Sequence, residues 1–290
     1  MNNLKGKTAF ITGAADGIGF HTARALAKEG MNIMLADINA SKLAESTAVL
    51  RQEGFNVDCV ELDVALAEQW EVAVNKTTSV FGNVHFVMNN AGVSVVGSLS
   101  SSKEKDWRWL LDVNLMGVVF GCKAFFSHMK AHGEGAHIMN VASMAGVLGV
   151  AYGGAYCATK AAVVSLSESW RAEFAKDNIE VSVLCPGFVK TGIYDSARNR
   201  PDRFGGASDF EKAVKERTAF TDNKEDVMSG IDTELAANRV VEGLTNNEFY
   251  IFTHPEFRQF QVERAAAIQE AFDRAEASPA LKQAMAETES

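Results

Sequence analysis

TGAADGIG, residues 12–19, lies between a short apolar run, TAFIT (8–12), and an amphipathic stretch, HTARALAKEG (21–30). An apolar run, a glycine-punctuated turn and then helical period describe a strand feeding a helix. Gly13, Gly17 and Gly19 are spaced GxxxGxG, not the commoner GxGxxG. The physics is the same in both: glycines permit the tight turn and let a pyrophosphate approach backbone N–H groups at a helix N-terminus. Following a first strand, this loop, with Ile18 between its last two glycines, favours a dinucleotide over a plain turn.

Outward from that loop the alternation repeats. MNIMLAD (31–37), NVDCVELD (56–63), VHFVMNNAG (84–92), AHIMNVAS (136–143), IEVSVLCPG (179–187) and EFYIF (248–252) read as strands. Helical patterns separate them, the longest running roughly from Asp106 to His132 and from Ala155 to Asp177. This rhythm predicts an α/β fold, one doubly wound domain over residues 1–290, with a parallel sheet of about seven strands and helices on both faces. From about 192 to 230 the chain turns polar around Pro201 and Gly205-Gly206, and we read that segment as a substrate lid. A C-terminal helical tail is expected over about 254–290, with an imperfect apolar stripe of Phe257, Phe260, Ile268 and Phe272.

Composition narrows the function classes. The net charge is −9 over 290 residues, which disfavours nucleic acid and anionic membranes as partners. Cys59, Cys122, Cys157 and Cys185 show no CxxC spacing and read as reduced thiols of a cytoplasmic enzyme. The N-terminus lacks the cationic-then-apolar run of a signal peptide. No uninterrupted apolar run approaches the roughly 18 residues needed to span a bilayer.

The strand ends supply the rest of the dinucleotide site, because ligands of open parallel sheets bind at the carboxyl ends of the strands. Asp37 ends the second strand, where a carboxylate accepts from ribose hydroxyls and repels a 2′-phosphate; its alternative is to cap the next helix. Asp16 adds negative charge in the glycine loop, and no basic residue stands at either place, so NAD is expected over NADP. Asp63 and Val64 would lie beside the adenine, and Asn90, Ala91 and Gly92 beneath the ribose and nicotinamide.

AYGGAYCATK, residues 151–160, offers two tyrosines to one lysine. Tyr156 and Lys160 are neighbours at i and i+4 on a helix. A nearby ammonium would lower the phenol's usual pKa of about 10 toward the operating pH of an acid–base catalyst. Gly153 and Gly154 disfavour helix around Tyr152, which is expected in the preceding loop, lining the pocket. Ser143 ends the fifth strand, and Asn114 sits in the long helix before it.

Taken together, TGAADGIG, Asp63, NNAG, Asn114, Ser143, Tyr156-x-x-x-Lys160 and PGFVKT resemble the short-chain dehydrogenases/reductases in order and approximate spacing, over roughly residues 4–253. The resemblance implies a Rossmann-type domain in which Tyr156 exchanges the alcohol proton and Ser143 binds the substrate oxygen. It also implies that Lys160 holds the nicotinamide ribose and that Asn114 links Lys160 to solvent through a helix distortion and a water. Pro186, Gly187, Val189 and Thr191 would close over the nicotinamide. The family's usual assembly implies a homodimer or homotetramer.

Ser94, Val95, Met144, Tyr152, Phe188 and Tyr194 are the expected substrate-lining residues, and the loops around the nicotinamide are apolar. They point to a bulky, mainly apolar or aromatic secondary alcohol or ketone; Arg198, Arg200 and Arg203 in the lid leave an anionic tail open. The lid and YIFTHPEFRQF loosely resemble a bacterial branch that includes Cα-dehydrogenases of aryl ethers. The alternatives are an NADPH-type ketoreductase of biosynthesis and a catalytically silent dinucleotide sensor. No metal is expected, although His128, His132 and His137 raise the question. Of Trp107 and Trp109, which cannot share a helix face, one should be core and the other free to touch substrate.

Overall fold

The seven apolar runs form strands β1 (Thr8–Thr12), β2 (Asn32–Asp37), β3 (Val57–Glu61), β4 (Phe86–Asn89), β5 (Ala136–Val141), β6 (Ile179–Cys185) and β7 (Tyr250–Phe252). The computed structural model describes residue 1, residues 3–207 and residues 223–282. All seven strands pair in parallel, in the order β3-β2-β1-β4-β5-β6-β7. Each parallel pairing requires a crossover. The principal helices are α1 (Gly17–Lys28), α2 (Ala40–Gln52), α3 (Ala67–Phe81), α4 (Glu104–Leu110), α5 (Gly117–His132), α6 (Met144–Val147) and α7 (Gly154–Phe174), with a later helix at Thr233–Thr245.

Every residue of β1, β4 and β5 is buried, the polar Thr8, Thr12, Asn89, His137 and Asn140 included, which is why these runs are mainly apolar and show no solvent-facing alternation. The period of two still sorts their side chains. Ala9 and Ile11 join a core with Ala23 and Leu26 of α1. Phe10 points the other way, its ring 4.6 Å from Phe125 of α5 and 6.1 Å from Trp70 of α3. Helices therefore cover both faces, and the carboxyl ends of the strands gather along one edge.

The long helix predicted from Asp106 runs from α4 into α5 through a π-helical turn, Leu111–Met116. By length and composition alone this helix would suffice to cross a membrane, despite lacking one unbroken apolar run. Its buried face, with Val118, Cys122, Phe125 and Met129, accounts for that apolarity as core packing.

The chain divides into two compact units, Met1–Thr253 and His254–Ser290. The second contains the helix Arg258–Ala277, none of whose residues is buried; Phe260, Ile268 and Phe272 of the expected stripe are exposed. Of the predicted lid, residues 192–207 and 223–230 lie within the described residues and 208–222 outside them.

The three histidines that suggested a metal have other partners. His128 Nε2 accepts from Val84 N at 3.1 Å, and His132 Nδ1 accepts from Glu134 N at 3.1 Å. Among the described residues, no group of three or more histidine, cysteine or acidic side chains is placed to hold a metal ion. His137 on β5 is buried beside Ser182, 2.5 Å from Nε2 to Oγ. Ser182 already donates its hydroxyl proton to Glu248 O, so Nε2 carries the imidazole proton. His137 Nδ1 is buried with no hydrogen-bond partner, and burial pushes the imidazole from its ordinary 6.5 down to about 3. Neutral His137 therefore contributes fully to stability above pH 6.5, and that contribution is lost as pH falls from 6.5 toward 3. Between pH 7 and 5, denaturant titrations should show wild type losing about 2 kcal/mol more stability than His137→Leu. Equal losses would show that His137 is not the titrating group.

Candidate active site

Asp16 shapes the glycine loop. Its backbone is extended and its carboxylate accepts from Gly17 N at 2.7 Å, capping α1. The helix therefore starts at Gly17, four residues before the amphipathic pattern suggested, and Ile18 and Gly19 lie in its first turn rather than in the loop. Ile18 packs partly against the core. A Cβ on Gly19 would stand 2.4 Å from Gly13 O and 2.6 Å from Asn90 Nδ2, so only glycine fits there. Gly17 has φ +57°, and a Cβ there would meet Thr191 Cγ2 at 3.2 Å, which places Thr191 against this loop.

Asp37 is not the cap of α2; Asn39 is, accepting from Lys42 N at 3.0 Å. The Asp37 carboxylate instead accepts from Ala15 N (3.1 Å) and Asn39 N (3.0 Å), beside the glycine loop. Burial raises its pKa, opposed by these two amide bonds and by Arg198. Asp63 is buried at the end of β3, accepting from Ala65 N through Oδ1 and from Arg203 Nη2 through Oδ2, at 3.0 and 2.6 Å. Val64 is also buried; its carbonyl accepts from Trp70 Nε1, and its side chain abuts Gly117.

After β4, the chain is tied back to β1. Asn90 Nδ2 donates to Thr12 O (2.8 Å) and Gly13 O (3.1 Å), while Thr12 Oγ1 accepts from Asn90 N and Ala91 N at 3.0 Å each. Asn114, fully buried in the π-helical turn, accepts from Val93 N (2.8 Å) and donates to Val93 O (2.9 Å) and Thr159 Oγ1 (3.3 Å). A Cβ on Gly92 would lie 3.4 Å from Asn114 Oδ1 and 3.5 Å from Lys160 Nζ, so both side chains border Gly92.

Ser143 follows β5 and caps α6, accepting from Ala145 N at 3.1 Å and donating to Pro186 O at 3.4 Å. Tyr156 and Lys160 lie on α7, the ammonium 5.7 Å from the centre of the phenol ring. Lys160 is buried and donates to Val141 O at 2.8 Å. Burial lowers its pKa to about 8. Burial also pushes the Tyr156 phenol up to about 12, against a hydrogen bond with Ser143 that lowers it. The expected lowering by Lys160 is not found: the ammonium is directed to the Val141 carbonyl, and desolvation dominates the phenol.

Beyond β6, Pro186 O also accepts from Met144 N, and Gly187 N donates to Thr253 Oγ1. Buried Val189 forms a parallel bridge with Ile231. Tyr152 sits before α7 as predicted, half exposed, with a left-handed φ of +62°. Val95 and Tyr152 line one cleft. Met144 is buried after β5, Phe188 is exposed after β6, Ser94 N donates to Ser196 Oγ, and Lys224 lies over the Tyr194 ring. Trp109 is core, while half-buried Trp107 lines the same cleft as Tyr152.

The lid arginines, read as possible receptors for an anionic tail, are engaged within the chain. Arg198 donates to Gly192 O and Asp195 O. Arg200 is buried against Asp106 at 2.8 Å and over the Trp109 ring, and Arg203 holds Asp63. Sequence reasoning missed these pairings because Asp106 and Asp63 lie 94 and 140 residues from their partners.

The close approach at the glycine loop gives a direct test. Gly19→Ala should lose about 1–3 kcal/mol in chemical denaturation, because the new methyl overlaps a backbone oxygen. Gly149→Ala, where nothing lies within 4 Å, should change stability by less than about 0.5 kcal/mol. Equal effects would mean that the loop accommodates a side chain.

Three comparisons bear on this arrangement. The family model described as short chain dehydrogenase matches residues 7–202. The Cα-dehydrogenase of Sphingobium sp. SYK-6 is 32% identical, over 89% of this chain and 84% of that protein. A short chain dehydrogenase/reductase from Burkholderia phymatum, solved in complex with NAD, superposes with a TM-score of 0.86 at 35% identity, covering 93% of this chain and 97% of that one. Apo LigO from Sphingobium sp. SYK-6 gives 0.82 at 31% identity, covering 100% and 97%. With this order of strands, this glycine loop and these matches, the chain belongs to the short chain dehydrogenase family of oxidoreductases.

Proposed function

We propose that the unit Met1–Thr253 transfers a hydride between NAD and a bulky, mainly apolar or aromatic secondary alcohol or its ketone. One observation carries the reading: Tyr156 and Lys160 stand one turn apart on α7, the buried ammonium 5.7 Å from the centre of the phenol ring, and Ser143 after β5 is near enough to act on the phenol. The NAD complex of the Burkholderia phymatum relative and the name of the Sphingobium Cα-dehydrogenase support the cofactor and the substrate class.

The residues present fit a dinucleotide. Gly13, Gly17, Ile18 and Gly19 make the tight turn into α1, closed by the approach of Gly19 to Gly13 O and Asn90, Asp16 caps the helix start, and Asp37 offers a carboxylate beside it. In our reading the ribose hydroxyls meet Asp37. The adenine lies by Asp63 and Val64, where it competes with Arg203, and the nicotinamide half lies along Asn90, Ala91 and Gly92. Pro186, Gly187, Val189 and Thr191 flank its far side. When bound, NAD supplies the hydride acceptor.

Tyr156 Oη receives the alcohol proton, or returns it in ketone reduction. Ser143 Oγ donates to the substrate oxygen and steadies its developing charge. Lys160 places a positive charge near the phenol and the ribose. Asn114 fixes Val93 and thereby the loop beside Lys160; a relay from Lys160 toward solvent would pass this amide. Homodimeric or homotetrameric assembly is part of the proposal. The Arg198 cation acting on Asp37 is the one feature that favours the NADPH-type ketoreductase alternative.

NADH formation over a panel of bulky secondary alcohols tests the reading. Tyr156→Phe should lower kcat/KM roughly a thousandfold, while Tyr152→Phe keeps most activity. Equal loss in both would leave Tyr156 without its assigned role, and faster turnover with NADP would overturn the assignment of Asp37. The pH profile follows from the raised phenol. Below a pKa of about 12 the phenolate fraction grows about tenfold per pH unit, so alcohol oxidation should accelerate as pH rises from 6 to 8. Ketone reduction uses the protonated phenol and should stay nearly flat over the same interval; a flat oxidation profile would refute the base assignment.

A further inference from the structure

Arg203 reaches the carboxyl end of the sheet from a short 3₁₀ turn, Asp202–Phe204, in the segment that follows β6. The turn is held without help from the Arg203 side chain. Phe204 N donates to Pro201 O at 3.0 Å, and Gly205 N donates to Asp202 O at 2.8 Å. Buried Arg200 donates through Nε to Phe204 O at 2.9 Å and is itself anchored on Asp106 at 2.8 Å. Phe204 is buried, and its ring centre lies 4.7 Å from the Arg203 guanidinium. A braced turn therefore presents Arg203 to the end of β3.

The pair it makes there is lopsided. The Asp63 side chain is 9% exposed, whereas that of Arg203 is 38% exposed and open to a ligand. Asp63 Oδ1 accepts from Ala65 N at 3.0 Å, and Oδ2 accepts from Arg203 Nη2 at 2.6 Å. A carboxylate oxygen accepts more than one bond and a guanidinium carries several donors, so neither group is saturated. Among the described residues the Arg203 guanidinium makes no other hydrogen bond, which leaves most of its donors unused. Opposite charges cancel in the pair. What it offers is an acceptor and a set of donors side by side, which suits a neutral heteroaromatic edge better than a phosphate.

Purines present such an edge. Adenine carries its 6-amino donor next to the N7 acceptor, and hypoxanthine carries an N1–H donor next to the 6-oxo acceptor. Both complement a carboxylate standing beside a guanidinium. A carboxylate alone would take the amino group of adenine and repel the 6-oxo group of hypoxanthine.

We propose, building on the dinucleotide reading above, that Arg203 sets the base specificity of the cofactor site. With Asp63 it reads a donor–acceptor edge, so that the site takes a hypoxanthine dinucleotide as well as NAD. The base and Arg203 share the Asp63 carboxylate, and the guanidinium turns its unused donors to N7 or to the 6-oxo group.

Binding separates this role from bracing and from plain competition. The probes are NADH and reduced nicotinamide hypoxanthine dinucleotide, identical except for the purine 6-substituent and the proton it places on N1. Kd is read from quenching of protein fluorescence, with no alcohol or ketone present. Wild type should bind the two within about threefold of each other. Arg203→Met keeps the stem beside Phe204 and removes every N–H. It should weaken the hypoxanthine dinucleotide about tenfold or more relative to NADH, the scale of one lost arginine–base contact. Arg203→Lys keeps the charge and loses the fork; its ratio should fall between the two, and it tests the same point if the methionine variant does not fold.

A wild-type preference for NADH beyond about tenfold would overturn the assignment. Equal weakening of both dinucleotides in Arg203→Met would do the same and make the pair a brace. Tighter NADH binding at an unchanged ratio would make Arg203 a competitor only. In all three cases wild type still binds NADH, and the hydride-transfer reading stands. Binding of neither dinucleotide by a cooperatively melting wild type would instead overturn the dinucleotide reading, and the role of Arg203 with it.

Discussion

The hydroxyl of Thr12 accepts the amides of Asn90 and Ala91, while the Asn90 side chain reaches back to the carbonyls of Thr12 and Gly13. These bonds lock the loop after β4 against the loop after β1, and both halves of the candidate site depend on that register. Gly19 approaches the same Asn90 amide and the same Gly13 carbonyl, so α1 is seated by the knot as well. Val93, three residues beyond Asn90, is held in turn by both polar atoms of the Asn114 amide. A short chain of side-chain-to-backbone bonds thus runs from the glycine loop to the π-helical turn. It uses buried or half-buried partners, where a hydrogen bond is costly to lose.

The electrostatics of the site are set by burial before they are set by charge. Asp37 and Tyr156 are raised, and Lys160 is lowered, each by desolvation first. Each shift favours the neutral form. A ligand that brings its own charge and hydrogen-bonding groups into such a site therefore changes these groups more than it would at an exposed surface.

How much of this was legible in the sequence depends on distance along the chain. The strand runs and the position of Tyr152 are local matters of period and propensity, and they appear where predicted. The start of α1 was misplaced by four residues because the cap of Asp16 outweighs the amphipathic pattern that begins at His21. The π-helical turn has no signature in a hydropathy pattern that reads as one helix. The partners of Arg200 and Arg203 were not legible because charge pairing across 94 or 140 residues belongs to topology, not composition. Arg200 and Arg203 in consequence meet Asp106 and Asp63 of their own chain.

The strand order also constrains how the chain comes together. β1 is synthesised first and lies near the middle of the sheet, yet its second neighbour, β4, is paired through Ala9 and Phe86. β2 can dock after about one crossover, but the other edge of β1 waits for dozens of further residues to leave the ribosome. During that interval a strand with an apolar centre, Ala9 to Ile11, presents unpaired amides and carbonyls, the kind of edge that recruits foreign strands. The sheet that later aligns the site therefore passes through a vulnerable half-built stage. A pause in translation before β4 would prolong the exposure, whereas a pause after it would let the centre of the sheet close first.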